Sequence, residues 1–565
     1  MTLYEVIKQA TEEKPDDIAY EYFRYKVTYD DFFYEIDRVA DALTMSGFKL
    51  GDRIGVCMVN SPELITLFYA INRIGAVAVM LNPKSHGNEL KRQIEMTEIK
   101  TVFYSDVAIE NILEYVNLTY KKKKIGIVRA RTCKHLPLNL KIGVKKKMFP
   151  YNKMHKEIRD KITIQYYWDY KEFASEVRTN NKPTENYVKD DTLPAVILFS
   201  GGTTGELKAI VHSSRALNEA AKYCLQTEEP LPKNLSMLAV LPAFHIFGLT
   251  VAIHLPFVAK GKVILMPFFH ADTLCKRFIK EAPTFMPGVP TMFERMLRCK
   301  RLKRANKRRA INAIAFRHGF VGGDTLSPEV RDEFNNLLRR NGSDGYISMG
   351  YGMTECCPIS VNNREIFEDN CIGYVFPTNE VKICKFGTNE EVADGEKGEI
   401  CVISKANMLY AFTENGATIK PQDVDGVSVL HTEDIGYKKD GKVYYDCRMR
   451  RLIKVSGHTI FASAVEKVIE QQEDVKKAYV VAVPHKTRGQ GVFAYIVTNT
   501  KKNKKELKKI YEQIEIVCKR ELIPYAIPIG YASLNEEEVP KTHLMKTAWG
   551  KLQENAEIIM KEQFD

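Results

Sequence analysis

No Cys-x-x-Cys pair occurs in this chain, and its twelve cysteines follow no regular spacing. A disulfide framework is not indicated, and 565 residues can bury a core large enough to do without one. Reduced thiols in a cytosol, hence a cytoplasmic protein, are the expectation. The opening Met1-Thr2-Leu3-Tyr4-Glu5 lacks a basic region followed by an apolar one, so no secretory signal is read. The Gly-x-x-x-x-Gly-Lys-Ser/Thr spacing of a Walker loop is missing. So are zinc-finger, homeodomain and RNA-binding aromatic signatures, and nucleic-acid binding is not expected. Acidic residues fall short of basic ones, 71 against 83, which leaves a net charge of +12. Much of the excess sits in Lys121 to Lys124, Lys145 to Lys147 and Arg298 to Arg309. Any one run reads most simply as a solvated face; the other reading is a surface for anionic lipid or an anionic ligand, with peripheral membrane contact as its consequence. Long apolar runs are scarce as well. Met237 to Ala259 has no charged side chain and is long enough to span a bilayer. Pro242, Pro256, His245 and His254 interrupt it and Gly248 sits near its middle, so a buried strand, loop and helix is expected there.

What the chain does carry is a glycine- and threonine-rich turn behind an apolar strand. Ala195 to Phe199 reads as buried strand, and Ser200-Gly201-Gly202-Thr203-Thr204-Gly205-Glu206-Leu207-Lys208 follows it. The glycines let backbone N–H groups converge on one point, Thr203 and Thr204 add hydroxyl donors, and Lys208 adds a positive charge at the far end. That inventory suits a polyphosphate. The alternative on the loop alone is a Gly/Thr hairpin on the surface.

Apolar strands alternate with helices on both sides of this turn. Asp17 to Leu43 reads as an exposed-looking strand and an amphipathic helix. Gly51 to Ile71 reads as a strand, a turn at Asn60-Ser61-Pro62 and a helix; Ala76 to Leu81 is a second strand, and Lys100 to Val116 repeats the rhythm. A parallel sheet covered on both faces follows from that alternation. Residues 117–190 are basic, rich in Tyr and Lys, and read as an insertion or covering segment. Further turns close apolar strands: Leu241-Pro242-Ala243-Phe244-His245-Ile246-Phe247-Gly248, Gly288-Val289-Pro290-Thr291 and Gly322-Gly323-Asp324-Thr325-Leu326. Then comes Gly350-Tyr351-Gly352-Met353-Thr354-Glu355, in which Tyr351 can stack on a purine, Thr354 can donate to a phosphate and Glu355 can hold magnesium. Singly, His245 could be a satisfied turn residue, and Thr354 with Glu355 a helix-capping pair. Gly398 to Val402 opens an alternating section that leads to His431-Thr432-Glu433-Asp434 and a hairpin turning at Lys439-Asp440-Gly441. Beyond Tyr445 the strands Ala478 to Val483 and Val492 to Val497, with a basic helix from Lys504 to Leu522, read as a small α+β domain.

Taken in order, these segments resemble the signatures of the adenylate-forming superfamily: acyl-CoA synthetases, luciferases and the adenylation domains of peptide synthetases. The phosphate-binding signature, Tyr-Thr-Ser-Gly-Thr-Thr-Gly-x-Pro-Lys-Gly, matches at Gly202, Thr203, Thr204, Gly205 and Lys208 and is similar at Phe199 and Ser200. It departs at Gly201, Leu207 and Ala209. The family's Tyr-Gly-x-Thr-Glu matches Tyr351, Gly352, Met353, Thr354 and Glu355; its Thr-Gly-Asp matches at Asp434, with Glu433 in place of Gly. The family linker, Asp-Arg-x-Lys or Asp-Arg-x-Asp, matches at Arg448, with Cys447 in place of Asp and Arg450 where relatives have Lys or Asp, and Pro-Lys-Thr-x-x-Gly-Lys is matched by Pro540 to Lys546, with Met545 in place of Gly.

The resemblance implies an α/β adenylate-forming fold. Residues 1–446 would form a large AMP- and acyl-binding domain of two α/β-layered subdomains and a small β-barrel part, and 447–565 a small mobile α+β domain. It implies ATP, magnesium and CoA. Thr203 and Lys546 would act in catalysis, with Glu355 also holding the metal and His245 in the acid pocket. Ser200, Gly202, Thr204, Gly205, Lys208, Gly323, Asp324, Tyr351, Gly352, Met353 and Thr354 would bind nucleotide, Asp434 and Arg448 its ribose, and Ser456, Gly457 and His458 the pantetheine arm. Arg450 would be the hinge. Amino-acid-activating relatives usually place Asp where His245 stands, and a carboxylate is the natural partner of an ammonium. The expected substrate is therefore a small-molecule carboxylic acid, fatty or otherwise apolar, joined to CoA. Two other readings stay open: transfer to the thiol of an acyl carrier protein, and a catalytically weak nucleotide- or acyl-binding relative.

Overall fold

The computed structural model describes residues 1–119, 125–130, 153–154, 156–158, 161, 167–170, 173, 188–201, 207–226, 230–362, 368, 370–376, 379–456, 458–485, 488–541 and 547–564. These residues group into two compact units, one drawn from 1–200, 207–380 and 402–430 and the other from 201–206, 381–401 and 431–565.

The first unit is built on two large sheets. One has the strand order Thr418–Ile419, Tyr410–Thr413, Leu207–Ser213, Pro194–Gly201, Val77–Met80, Arg53–Cys57, Thr101–Ser105, Gly126–Ala130 and Tyr167–Asp169. From Pro194–Gly201 onward every pairing in that order is parallel. The connecting helices are encoded locally. Pro62–Arg73 starts on Ser61, whose hydroxyl accepts from the Leu64 amide at 3.2 Å, with Pro62 preset in its first turn. Every residue of that helix is buried, because it lies between layers. Its one buried cation, Arg73, is held by Asp37 at 3.0 Å and Asp41 at 3.6 Å.

The other sheet runs Tyr25–Thr28, Ile18–Tyr22, Lys262–Leu265 and Ser236–Ala239, with parallel bridges at Phe285 continuing it to His318–Val321 and Tyr346–Met353. A single hydrophobic cluster joins Ile54 and Val196 of the first sheet, Ala19 and Val263 of the second, and Leu67, Phe68 and Leu217 of the helices between them. The strand near residue 18, expected to look exposed, is buried along Ala19 to Tyr22, since it pairs in parallel with Lys262–Leu265 inside this layer. Within residues 117–190, Gly126–Ala130 and Tyr167–Asp169 add two strands to the parallel sheet, and Ile158 and Phe173 are buried in the hydrophobic clusters beside it. The charge-free window divides into the strand Ser236–Ala239, a turn, and a π-helical and α-helical segment from Gly248 to Val258. Among the described residues no helix is long and apolar enough to cross a membrane.

The second unit has a β part and an α+β part. Lys442–Arg448, Val427–Lys439, Gly398–Ile403 and Glu380–Cys384 are neighbours in that order. The expected hairpin closes at Asp440 and Gly441, with φ +51° and +73°, the two left-handed positions of a type I′ turn. The second sheet has the order His458–Phe461, Leu452–Val455, Gly489–Thr498 and Val475–His485, with Gly530–Ser533 added in parallel. Helices Ala462–Glu470, Lys504–Glu521 and Trp549–Phe564 complete it.

Candidate functional site

Four of the turns singled out above lie side by side in the first unit. Ser236–Ala239, the bridge at Phe285, His318–Val321 and Tyr346–Met353 run parallel. Their carboxyl ends therefore deliver Leu241 to Gly248, Gly288, Gly322 to Asp324, and Gly350 to Glu355 to one edge. Ligands of open α/β sheets bind outside such strand ends. The edge is tightly built. The Gly288 amide donates to Phe320 O at 2.9 Å, and Gly322 N to Gly288 O at 3.0 Å. A Cβ on Gly322 would sit 3.2 Å from the Phe247 ring and 3.6 Å from Gly350 O, so the aromatic after His245 lies directly over the Gly322 turn. A Cβ on Gly248 would reach within 2.1 Å of Pro242 O, which only glycine avoids. His245 is half-buried, its ring 4.4 Å from that of Phe244. Gly323 adopts φ +87°, and Asp324, exposed, caps the following turn through the Thr325 amide at 2.9 Å.

Tyr351 to Glu355 form the tip of a β-hairpin, not a helix N-terminus, which removes the capping reading. Gly350 pairs with Val361 and Tyr351 with Ser360; the register then shifts across Gly352 before Met353 meets Cys356. All five residues are half-buried. Two hydrogen bonds pin the tip to the first sheet. His212 Nε2 donates to Thr354 O at 2.8 Å, and the Met408 amide donates to Glu355 O at 2.8 Å. His212 belongs to Leu207–Ser213, and Met408 leads into Tyr410–Thr413, where Thr413 pairs with Lys208. Ser200 lies next to the end of the neighbouring strand, Pro194–Gly201. The strand that leaves the Gly/Thr turn thus carries one hydrogen-bonding partner of the Thr354-Glu355 tip, and the residue leading into the strand paired with it carries the other. Gly202, Thr203, Thr204 and Gly205 lie outside the described residues.

Sequence reasoning did not single out His212. It sits in an apolar strand and resembles any core histidine; its role becomes visible only through the Thr354 contact. Burial lowers its pKa from 6.5 to about 4, so the ring stays neutral with its proton on Nε2.

In the second unit Asp434 and Arg448 meet. They are register partners and form an ion pair, Arg448 Nε lying 2.8 Å from Asp434 Oδ1, with the Asp434 side chain buried and that of Arg448 40% exposed. The Asp434 amide donates to Thr432 Oγ1 at 3.1 Å, and that hydroxyl donates to Ile400 O at 2.7 Å. Glu433, which replaces the family's glycine, has φ +57°. Holding a non-glycine residue there costs about 1–2 kcal/mol. The Glu433 amide is secured by Glu399 Oε1 at 3.0 Å, and Glu399 Oε2 also bonds His431 Nδ1 at 2.9 Å, while His431 Nε2 reaches Asn389 Oδ1 at 3.0 Å. Glu399, Cys401 and His431 bring a carboxylate oxygen, a thiol and a ring nitrogen within 4.8 Å of one another, a spacing that would suit a metal. Two donors already engage the carboxylate, and burial pushes the Cys401 thiol up, so the trio acts as a clamp on the turn that carries Asp434.

Arg450 lies in the helical turn Met449–Arg451. Its successor is fixed firmly: Arg451 Nη2 donates to Glu466 Oε1 at 2.5 Å, and its guanidinium lies 3.7 Å over the Trp549 ring. Ser456 is exposed with φ +49°, and His458 stacks on Tyr525 at 4.2 Å in the hairpin around them. Gly457 and Lys546 lie outside the described residues. The latter belongs to the connection between Lys541 and Thr547, which pair in an antiparallel bridge.

A family profile described as AMP-binding enzyme matches residues 7–410, and one described as AMP-binding enzyme C-terminal domain matches 464–546. The chain is 25% identical over 558 residues to a long-chain-fatty-acid–CoA ligase of Bacillus subtilis (strain 168), covering 96% of this chain and 93% of that one. Its fold is similar to the crystal structure of ATP-bound MatB from Rhodopseudomonas palustris, with TM-score 0.74, 20% identity, and 99% and 100% of the two chains covered. It is likewise similar to the anthranilate CoA ligase AuaEII in complex with anthranoyl-AMP, with TM-score 0.76, 18% identity, and 99% and 98% covered.

Proposed function

The chain belongs to the AMP-binding enzyme family, and from that premise we propose that it joins an apolar carboxylic acid, a fatty acid in the first instance, to CoA through an acyl-adenylate. Adenylate-forming CoA ligases use ATP, magnesium and CoA. The described donors fit these groups. Glu355 offers a hard oxygen at a hairpin tip, and the buried Asp434 carboxylate, backed by Arg448, suits two vicinal ribose hydroxyls. The observation that carries the apolar-acid reading is Phe247 lying over Gly322 at the shared strand edge, beside a half-buried His245 and no carboxylate at that position.

A carboxylate is a poor electrophile and must first gain a better leaving group. The acid's oxygen attacks the α-phosphorus of ATP, the bond to pyrophosphate breaks, and acyl-AMP forms. The attack brings two anions together, and Lys546 lowers that repulsion in the transition state. Magnesium, when bound, supplies further neutralisation of the phosphates, with Glu355 as its ligand. Thr203, Thr204 and Lys208, with the Ser200, Gly202 and Gly205 backbone, hold the β- and γ-phosphates; Tyr351, Gly352, Met353, Gly323 and Asp324 hold the adenine, and Thr354 a phosphate oxygen. Phe244, His245 and Phe247 line the acid's path.

For the second half, residues beyond about 446 turn at Arg450. The flanks support a pivot there, since Arg448 is tied to Asp434 and Arg451 to Glu466, leaving Met449 and Arg450 to take up the rotation. The Ser456-Gly457-His458 loop then guides the CoA thiol, which attacks the acyl carbon and releases AMP. The described cysteines are free and nearly all buried, in keeping with a reducing cytoplasm.

A panel of fatty, aryl and short polar acids, followed by pyrophosphate release with and without CoA, tests the reading. Release with fatty acids, then CoA-dependent AMP formation, is expected. Adenylate that only a carrier-protein thiol discharges would move the acceptor to a carrier protein. No release across the panel would overturn the enzyme assignment.

A further inference from the structure

From Arg295 to Gly323 the chain has no acidic residue, and Arg298 to Arg309 contains eight cations: Arg298, Lys300, Arg301, Lys303, Arg304, Lys307, Arg308 and Arg309. The structure turns this run into one face of the first unit. Helix Lys300–Lys307 buries only Leu302, and all eight cations are exposed. Arg301 pairs with Asp272 at 3.0 Å and Arg298 distantly with Glu294 at 3.9 Å. Among the described residues no ion pair is recorded for Lys300, Lys303, Arg304, Lys307, Arg308 or Arg309. Asn341 extends the face. Its Nδ2 donates to Asn306 Oδ1 at 2.8 Å and its Oδ1 accepts from the Ile311 amide at 3.3 Å, which binds the end of helix Pro328–Arg340 to the exit of the basic helix. That brings in exposed Arg339 and Arg340. Ile314, 73% exposed, sits against Gly342 at the same junction, with Asp344 the nearby acid in sequence.

This helix is charged against its own stability. Lys300 and Arg304, Lys303 and Lys307, and Arg304 and Arg308 are like-charge pairs at i,i+4, and cations rather than acids fill its first turn. Intramolecular partners do not compensate this charge, so the complementary charge is external. We propose that the face docks on an anionic phospholipid bilayer, with Ile314 entering the headgroup region. Three observations select this occupant. The cations are spread over two helix ends and a loop, which suits a broad surface rather than a single small anion. None is buried, as a built anion site would require. The patch contains an exposed aliphatic side chain and no exposed aromatic for stacking bases, which fits lipid rather than single-stranded nucleic acid. The inference does not depend on which acid the enzyme uses.

The test is co-sedimentation of the full chain with phosphatidylcholine vesicles and with vesicles that also contain phosphatidylglycerol. Binding is expected only to the latter, and it should weaken sharply between 0.1 M and 0.5 M salt as the Debye length shrinks. Each Lys or Arg near an anionic surface contributes about fivefold, so Lys303→Ala/Lys307→Ala/Arg308→Ala should partition roughly 100-fold more weakly. Ile314→Asn should also weaken partition while leaving pyrophosphate release with a soluble acid and the melting temperature unchanged. Equal binding to both vesicle types, wild-type partition of the triple variant, or retention only by an acidic carrier protein or RNA would each overturn the proposal.

Discussion

Two histidines never named in the reaction make this fold less stable in acid. His212 holds the Thr354 carbonyl, and His254 bridges Tyr69 OH at 2.9 Å and Asn218 Oδ1 at 2.9 Å. Burial lowers both, to about 4 and about 3 from the ordinary 6.5. An unfolded chain protonates these rings below pH 6.5 while the folded one does not, so the unfolded state binds more protons and stability falls as the pH drops. Between pH 7 and pH 5 each ring should remove about 2 kcal/mol. Urea denaturation at the two pH values gives the total pH dependence, and His254→Gln should shrink it by about 2 kcal/mol. An unchanged difference would show that His254 does not stay neutral when folded.

At the scale of elements, the strand-helix alternation was readable because period-2 and period-3.6 patterns come from burial on a sheet or helix face, which is written locally. The hairpin at Asp440-Gly441 was readable from its turn residues and the helix Lys504–Glu521 from its own local pattern. Pairing partners were not. Nothing near Ile18 says that its strand will lie beside Lys262–Leu265, and so its burial was missed. The site divides likewise. Motif residues could be named from their order, but His212, Glu399 and Arg451 act through distant partners: Thr354, Glu433 and the Glu466–Trp549 pair. Arg451 offers a direct check. Burial raises the Glu466 pKa and Arg451 pulls it back, so Arg451→Met leaves a carboxylate without its main compensating charge. The loss should be about 3 kcal/mol in the C-terminal unit. Followed by Trp549 fluorescence in denaturant, Arg451→Met/Glu466→Gln should recover most of it; a double variant no more stable than the single would deny the coupling.

At the scale of the whole molecule, one lysine near residue 546 is asked to serve only one of two successive reactions, and this makes the two-step scheme testable by separation. In the first step negative charge accumulates as the acid's oxygen approaches a phosphate, and a cation held there is worth the most. In the second step a thiol attacks the acyl carbon and AMP leaves, after the proposed turn at Arg450 has carried residues beyond about 446, Lys546 among them, to a new position, so the charge that develops on the acyl oxygen and on AMP must be met by other groups. Lys546→Ala should therefore lower pyrophosphate release by 100-fold or more, in the range of a lost transition-state donor of about 3–4 kcal/mol. Thioester formation from supplied acyl-adenylate and CoA should stay within about threefold of the unmodified chain, a spread of about 0.7 kcal/mol. Arg450→Pro is the reciprocal probe. Proline fixes the backbone φ at the pivot, so adenylation should persist while thioester formation slows. If both variants depress the two steps equally, the lysine and the pivot do not divide the chemistry between them, and a single fixed arrangement must carry out both reactions.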